Sequence, residues 1–238
     1  MIRVGRDRPV VDPYERPVEK LPSSRVLLLF HPRLYSIAMR MIDERRKATI
    51  SGLLYKAFTG IYMDRRILVV LPFWGAPAAV AGLEVLIAGG GRVFISVGRA
   101  GSISPRLRIG DVLIPLWGVR EEGTSYHYMP PNYIPRPDSG LAGKLYDEIM
   151  WVRARRRIRV LKGGIWTTDA LFRETRDKVA EYAERRVLGV DLEATALMTV
   201  AKYRGVRLAI ADAVSDELYT GEWKPGFDSY ALHRTERV

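Results

Sequence analysis

Short apolar runs alternate with stretches of helical spacing along most of the chain, and glycine, proline or aspartate marks nearly every junction. Arg25 to Phe30 reads as a buried strand. Pro32 suits a first helical turn. Leu34, Ile37, Ala38, Met41 and Ile42 then keep helical spacing, which predicts a helix running on through Glu44. Leu53 to Tyr62 and Arg66 to Leu71 read as strands, with Asp64 in the turn between them. Ala76 to Ala88 is a helix of small residues closed by Gly89, Gly90 and Gly91. Arg92 to Val97 and Val112 to Pro115 are further strand runs, and residues 116–140, rich in Trp, Tyr, Pro and Gly, predict a long loop. Helices follow at Leu141 to Val152, Thr175 to Arg186 and Glu193 to Tyr203, the last ended by Gly205. Strands fall at Ile158 to Leu161, Val187 to Val190 and Val206 to Val214. This alternation predicts one α/β domain over residues 21–238, with a mostly parallel central sheet covered on both faces. Residues 1–20, interrupted by prolines at 9, 13 and 17, form an expected N-terminal arm.

Composition narrows the class. Hydrophobic residues make up 47% of the 238, enough for a packed core. No apolar run reaches the roughly 18 residues of a membrane span, and residues 1–20 lack the apolar core of a secretory signal. There is no cysteine, which excludes disulfides, thiol chemistry and cysteine-bound metal. A cytoplasmic location is therefore expected. The net charge of +11 is spread along the chain and is dense only at 45–47 and 153–157. That distribution favours an anionic small substrate over nucleic acid or a membrane surface.

Ligands of open α/β sheets bind beyond the carboxyl ends of the strands. Four such ends carry polar residues here: Ser96 to Gly101, Thr167 to Phe172, Val190 to Glu193 and Val214 to Glu217. Gly98 and Gly101 frame Arg99 in a stretch that can approach an anion closely. If the four ends meet, they join a cation, an aromatic face, a carboxylate for hydroxyl groups and a second carboxylate for proton transfer. Each has a plainer use as well. Asp191 suits a helix cap, Glu193 suits a helix N-terminus, Asp216 suits a solvated turn and Phe172 suits a core.

Six spaced motifs, in order, resemble the nucleoside phosphorylase-I superfamily of purine nucleoside phosphorylases, uridine phosphorylases and related nucleosidases. They are FTGIY at 58–62, ISVGRAGSISPRLRIGDVLIP at 95–115, EGTSYHY at 122–128, TTDALFRET at 167–175, GVDLEATAL at 189–197 and AVSDE at 213–217. The resemblance implies a three-layer α/β/α fold with a twisted, barrel-like mixed sheet. It also implies a homo-oligomer, dimer or hexamer, whose subunits share active sites. Glu193 matches the glutamate that binds the ribose hydroxyls, and Leu192 the methionine against the sugar. Ala100, Gly101, Leu171 and Phe172 match positions around the base. Asp216 matches the aspartate that protonates a purine as the glycosidic bond breaks.

On the phosphate side the resemblance points to Arg99, Ser96 and Arg33, with Lys56 at a position usually lent by a neighbouring subunit. This side departs from the family pattern. Phe30 replaces a glycine, Arg33 comes one place early, and Ser96 and Arg99 stand with their residue types exchanged. The glutamine and arginine that grip uracil in uridine enzymes fall at Thr175 and Asp177. The implied activity is reversible phosphorolysis of a purine nucleoside to free base and ribose 1-phosphate, with inorganic phosphate as co-substrate and no metal or other cofactor. A hydrolytic nucleosidase and a non-catalytic nucleoside-binding homologue are the alternatives.

Overall fold

In the computed structural model, which describes residues 9–15, 19–50, 54–153 and 158–237, a strand with three partners joins the two parts of the sheet. This strand, β5 (Val93–Ser102), pairs in parallel with β1 (Arg25–Leu29) and β9 (Arg207–Glu217). It also pairs antiparallel with β8 (Val187–Asp191) through Gly101 and Ser102. The remaining strands are β2 (Asp43–Lys47), β3 (Leu54–Tyr62), β4 (Arg65–Pro72), β6 (Val112–Glu121), β7 (Val160–Thr168) and β10 (Lys224–Pro225). They order as β10-β9-β6-β7-β8-β5-β1-β4-β3-β2. The extra pairing of β5 with β9 closes β5, β9, β6, β7 and β8 into a ring. Among the described residues six helices accompany them: α1 (Pro32–Met41), α2 (Ala76–Ala88), α3 (Ser139–Arg153), α4 (Arg176–Glu184), α5 (Ala194–Arg204) and α6 (Tyr230–Thr235).

The sheet is of mixed orientation rather than mostly parallel. β1–β4, β1–β5, β5–β9, β6–β7 and β7–β8 run parallel. The hairpins β2–β3, β3–β4 and β9–β10 and the ring contacts β5–β8 and β6–β9 run antiparallel. The tight turn at Met63 and Asp64, both at positive φ, suits the twist of a hairpin.

Several expected boundaries move. The first helix stops at Met41, because Ile42 turns extended and buries its side chain against Leu34, Tyr35 and Phe58. Asp43 to Lys47 then forms a fully exposed, charged edge strand. The loop expected at Gly98 to Gly101 is strand, held by the ladder to β9 as far as Ser102. β6 continues past Pro115 to Glu121, with an irregularity between Pro115 and Trp117 that accommodates the missing donor. The rest of 116–140 is tied to Arg120, whose guanidinium donates to the carbonyls of Met129, Pro130 and Tyr133 and to the Ser125 hydroxyl. β7 passes through Gly163 and Gly164 because β6 supplies a ladder along it and β8 joins at Gly164. Parts of the expected arm (1–8 and 16–18), residues 51–53 with the expected strand start at Leu53, and most of the arginine-rich stretch (154–157) lie outside the described residues.

Alternation along β1 sends side chains to two clusters. Val26 and Leu28 pack with Val80 and Leu83 of α2 and Leu197 and Met198 of α5. Leu29 packs with Leu34 and Ala38 of α1. Each fully buried side chain of this size contributes about 1.5–3 kcal/mol. Those two faces fix β1 and, through it, the position of β5.

Candidate functional site

A cavity of about 720 Å³ opens where β5, β8 and β9 end. Arg99 and Gly101 come from β5, Val190 and Asp191 from β8, and Ser215 and Asp216 from β9. Phe30, Trp74, Phe172 and Trp223 supply aromatic walls.

Asp191 sets one corner of the cavity. Its Oδ2 accepts the backbone N–H of Ala194 at 2.7 Å and of Glu193 at 3.1 Å, which caps α5. Its Oδ1 accepts the Thr167 hydroxyl at 2.6 Å. With that turn fixed, the Glu193 carboxylate reaches Gly75, whose N–H donates to Oε1 at 2.7 Å. Gly75 precedes α2 at φ 88°, in the region that side-chain-bearing residues avoid. Burial, and then the charge of Asp191, push Glu193 up to about 8. Burial raises Asp191 itself to about 6. Asp212 on β9 is buried nearby and is held well above the usual carboxylate range by burial and by repulsion from Asp191 and Glu193.

Asp216 stands on a second side of the cavity. The Ser215 hydroxyl donates to its Oδ1 at 2.6 Å and the Trp223 indole N–H donates to its Oδ2 at 2.9 Å. Gly101 leaves room beneath it. A Cβ there would lie 2.6 Å from Leu218 and 3.3 Å from Asp216 Oδ2. Trp223 also packs on Phe227, with ring centroids 6.0 Å apart. Glu174 completes this side, pushed up to about 8 by burial and by the charges of Asp216 and Asp191.

At Arg99 the cavity meets a carboxylate of the chain itself. Arg99 donates Nε at 2.8 Å and Nη2 at 2.6 Å to Oε1 of Glu236, which directly follows α6. Arg33 Nε stands 2.8 Å from Oε2 of the same carboxylate. His31 caps α1 by accepting the Arg33 N–H on Nδ1, and burial followed by the Arg99 charge lowers it to about 4, so its imidazole is neutral.

The structure thus brings Arg99, Gly101, Leu171, Phe172, Leu192, Glu193 and Asp216 to one cavity, and Arg33 is linked to Arg99 through Glu236. It does not bring Ser96, Ala100 or Lys56 to the lining. Ser96 is three residues from Arg99 on a strand, so the two side chains leave opposite faces and cannot clasp one anion together. Ala100 shares the buried face of Ser96. Lys56 lies exposed on β3, separated from β5 by β4 and β1. Phe172 is not core: it is 96% exposed at the cavity mouth, beside Leu171. Sequence reasoning misses His31, Trp74, Glu174, Trp223, Phe227 and Glu236. Glu174 and His31 carry a signal, because one lies within a recognised motif and the other in the early loop between Phe30 and Arg33. Among the described residues no cluster of acidic and histidine side chains has metal-binding geometry.

A family model described as the phosphorylase superfamily matches residues 42–231. The chain belongs to this superfamily. It is 30% identical over 167 residues to a DeoD-type purine nucleoside phosphorylase of Bacillus cereus, a match covering 69% of each chain. The corresponding protein of Bacillus mycoides (strain KBAB4) gives the same identity and coverage. Uridine phosphorylase from Vibrio fischeri ES114 superposes with a TM-score of 0.77 at 23% identity, covering 93% of this chain and 94% of that one. The purine nucleoside phosphorylase of Toxoplasma gondii in complex with immucillin-H superposes at 0.75 and 20% identity, covering 92% and 88%. These two structures share the fold.

Proposed function

We propose that the protein is a purine-type nucleoside phosphorylase. The observation that carries this reading is that Glu193 and Asp216 face one cavity from the ends of neighbouring ring elements, with Arg99 between β8 and β9 on the strand that joins them. In the reaction a phosphate oxygen forms a bond to the anomeric carbon as the bond from that carbon to the base nitrogen breaks. The electron pair of the broken bond goes to the purine, and a proton from Asp216 neutralises it. Glu193 accepts hydrogen bonds from the ribose hydroxyls, with Leu192 against the sugar. Leu171 and Phe172 at the mouth, with Trp223, supply apolar faces for the base. Arg99 and Arg33 serve the phosphate side, and Lys56 would serve a neighbouring copy. The reading carries a homo-oligomer with shared sites, a cytoplasmic location and no cofactor beyond phosphate. Purine is favoured over uracil by the purine relatives at 30% identity and by Thr175 and Asp177.

One observation favours a second reading, hydrolysis on the same scaffold: both arginines already hold a carboxylate. A nucleoside panel incubated with and without phosphate separates the two. Base release that requires phosphate supports phosphorolysis, release without it supports hydrolysis, and no release leaves a nucleoside-binding homologue. Asp216→Asn then tests the acid. Turnover of inosine should fall about 10²–10⁴-fold, and 7-methylguanosine, whose base is already cationic, should be spared. Equal loss on both substrates would remove Asp216 from that role.

A further inference from the structure

Glu236 is placed with care by the fold. Leu232 of α6 is fully buried, and the Thr235 hydroxyl donates to the Gly110 carbonyl. The Glu236 side chain is itself 0% exposed, and Arg99 is only 15% exposed. Its two oxygens are divided between two guanidiniums that come from α1 and β5. Two arginines converging on one buried oxyanion at the edge of a cavity form an anion subsite, and here the anion belongs to the chain. The fit is incomplete. Arg99 makes two hydrogen bonds, whereas Arg33 Nε and Glu236 Oε2 face each other at 2.8 Å without the angle that either needs for one. A planar carboxylate satisfies one guanidinium and leaves the other with a charge contact. A tetrahedral oxyanion carries oxygens in more directions and a larger charge.

We propose that Glu236 is a specificity-determining residue that occupies the phosphate subsite as an intramolecular oxyanion, so that inorganic phosphate gains Arg33 and Arg99 only by displacing it. This rests on the reading of the cavity as a nucleoside and phosphate site. A tethered group competes at an effective concentration in the millimolar range or above, so free phosphate meets a rival that is always present. The choice between phosphate and water as the attacking group then turns on one side chain at 236, and the arginines alone do not settle it.

The test is direct binding of inorganic phosphate, by calorimetry and by equilibrium dialysis, to the wild-type chain, Glu236→Gln and Glu236→Ala. Thermal melts establish that each variant is folded. Gln keeps the shape and removes the charge, and Ala removes both. Both variants should bind phosphate at least tenfold more tightly than wild type, and adding Arg99→Ala to either should abolish the gain. Unchanged or weaker phosphate binding by both folded variants would overturn the proposal and make Glu236 a structural clamp that orients the arginines. Nucleoside cleavage is read separately. A protein that cleaves no nucleoside but gains phosphate affinity on losing Glu236 would fail the phosphorylase reading and keep this one.

Discussion

The Glu193 carboxyl lines the cavity with its pKa pushed up to about 8 by burial and by Asp191. One unit below that value roughly nine-tenths of the molecules carry the proton at pH 7. Sugar hydroxyls donate more strongly to a carboxylate than to a carboxylic acid, so a nucleoside bound there favours the ionised form and expels the proton. Binding at pH 7 should therefore release about 0.9 proton per site, falling towards zero above pH 9. Affinity should rise with pH by up to about tenfold per unit between pH 6 and 8, equivalent to 1.36 kcal/mol per unit, and then level off. Calorimetry in phosphate-free buffers of different ionisation enthalpy measures the protons directly, and a purine C-nucleoside, whose carbon–carbon link cannot be cleaved, serves as ligand. Glu193→Gln keeps an oxygen for the Gly75 N–H but has no proton to lose. It should release none, and its affinity should be flat across the same range. Equal proton release from both proteins, or none from wild type, would refute this coupling of the Glu193 proton to nucleoside binding.

Gly75→Ala should isolate backbone strain, since nothing lies within 4 Å of the new Cβ while φ stays at 88°. A loss of about 1–2 kcal/mol in urea unfolding, with weaker nucleoside binding, is expected; an unchanged midpoint would refute it. Gly101→Ala should cost about 1–3 kcal/mol through overpacking against Leu218 and should disturb Asp216, read as a lower melting temperature together with lower turnover. Glu174 has its folded pKa raised from 4.5 to about 8, so the native state holds its proton longer than the unfolded state does. Stability should then fall as pH rises through this window. Glu174→Gln should melt above wild type at pH 8 and close to it below pH 4.5, and a pH-independent difference would contradict the assignment.

Legibility in the sequence follows the range of the forces involved. Helix α2 is readable to both ends because its signals are local: a run of small apolar residues that the glycines from Gly89 close. The turn at Asp64 and the left-handed stop at Gly205 are readable for the same reason. The strands are visible but cut short, because Gly98, Pro115 and Gly163 weaken a strand locally while neighbouring strands hold it in place. Residues 43–47 mislead because helical spacing through Ile42 says nothing of a partner waiting in β3. Within the cavity, residues at strand ends are legible, since topology alone sends those ends to one place. The exchange of Ser96 and Arg99 is visible in one dimension as a departure, but only strand alternation shows that the two lie on opposite faces. Trp223 against Asp216 and Glu236 against Arg99 cannot be read at all. The second joins residues 137 positions apart through a terminal helix whose docking no local pattern announces.

The ring of five strands bears on how the molecule reaches this state. Its closing contacts join segments distant in sequence, such as Gly101 with Val190 and Val93 with Arg207. Loop-closure entropy must be met before such pairs form, which makes refolding slow for a chain of this size. The walls of the cavity are the loose ends of those same strands, so no early local intermediate owns a ligand site. A ligand that binds only the closed ring should slow unfolding and raise the melting point in proportion to the logarithm of its concentration, while leaving the rate of refolding untouched.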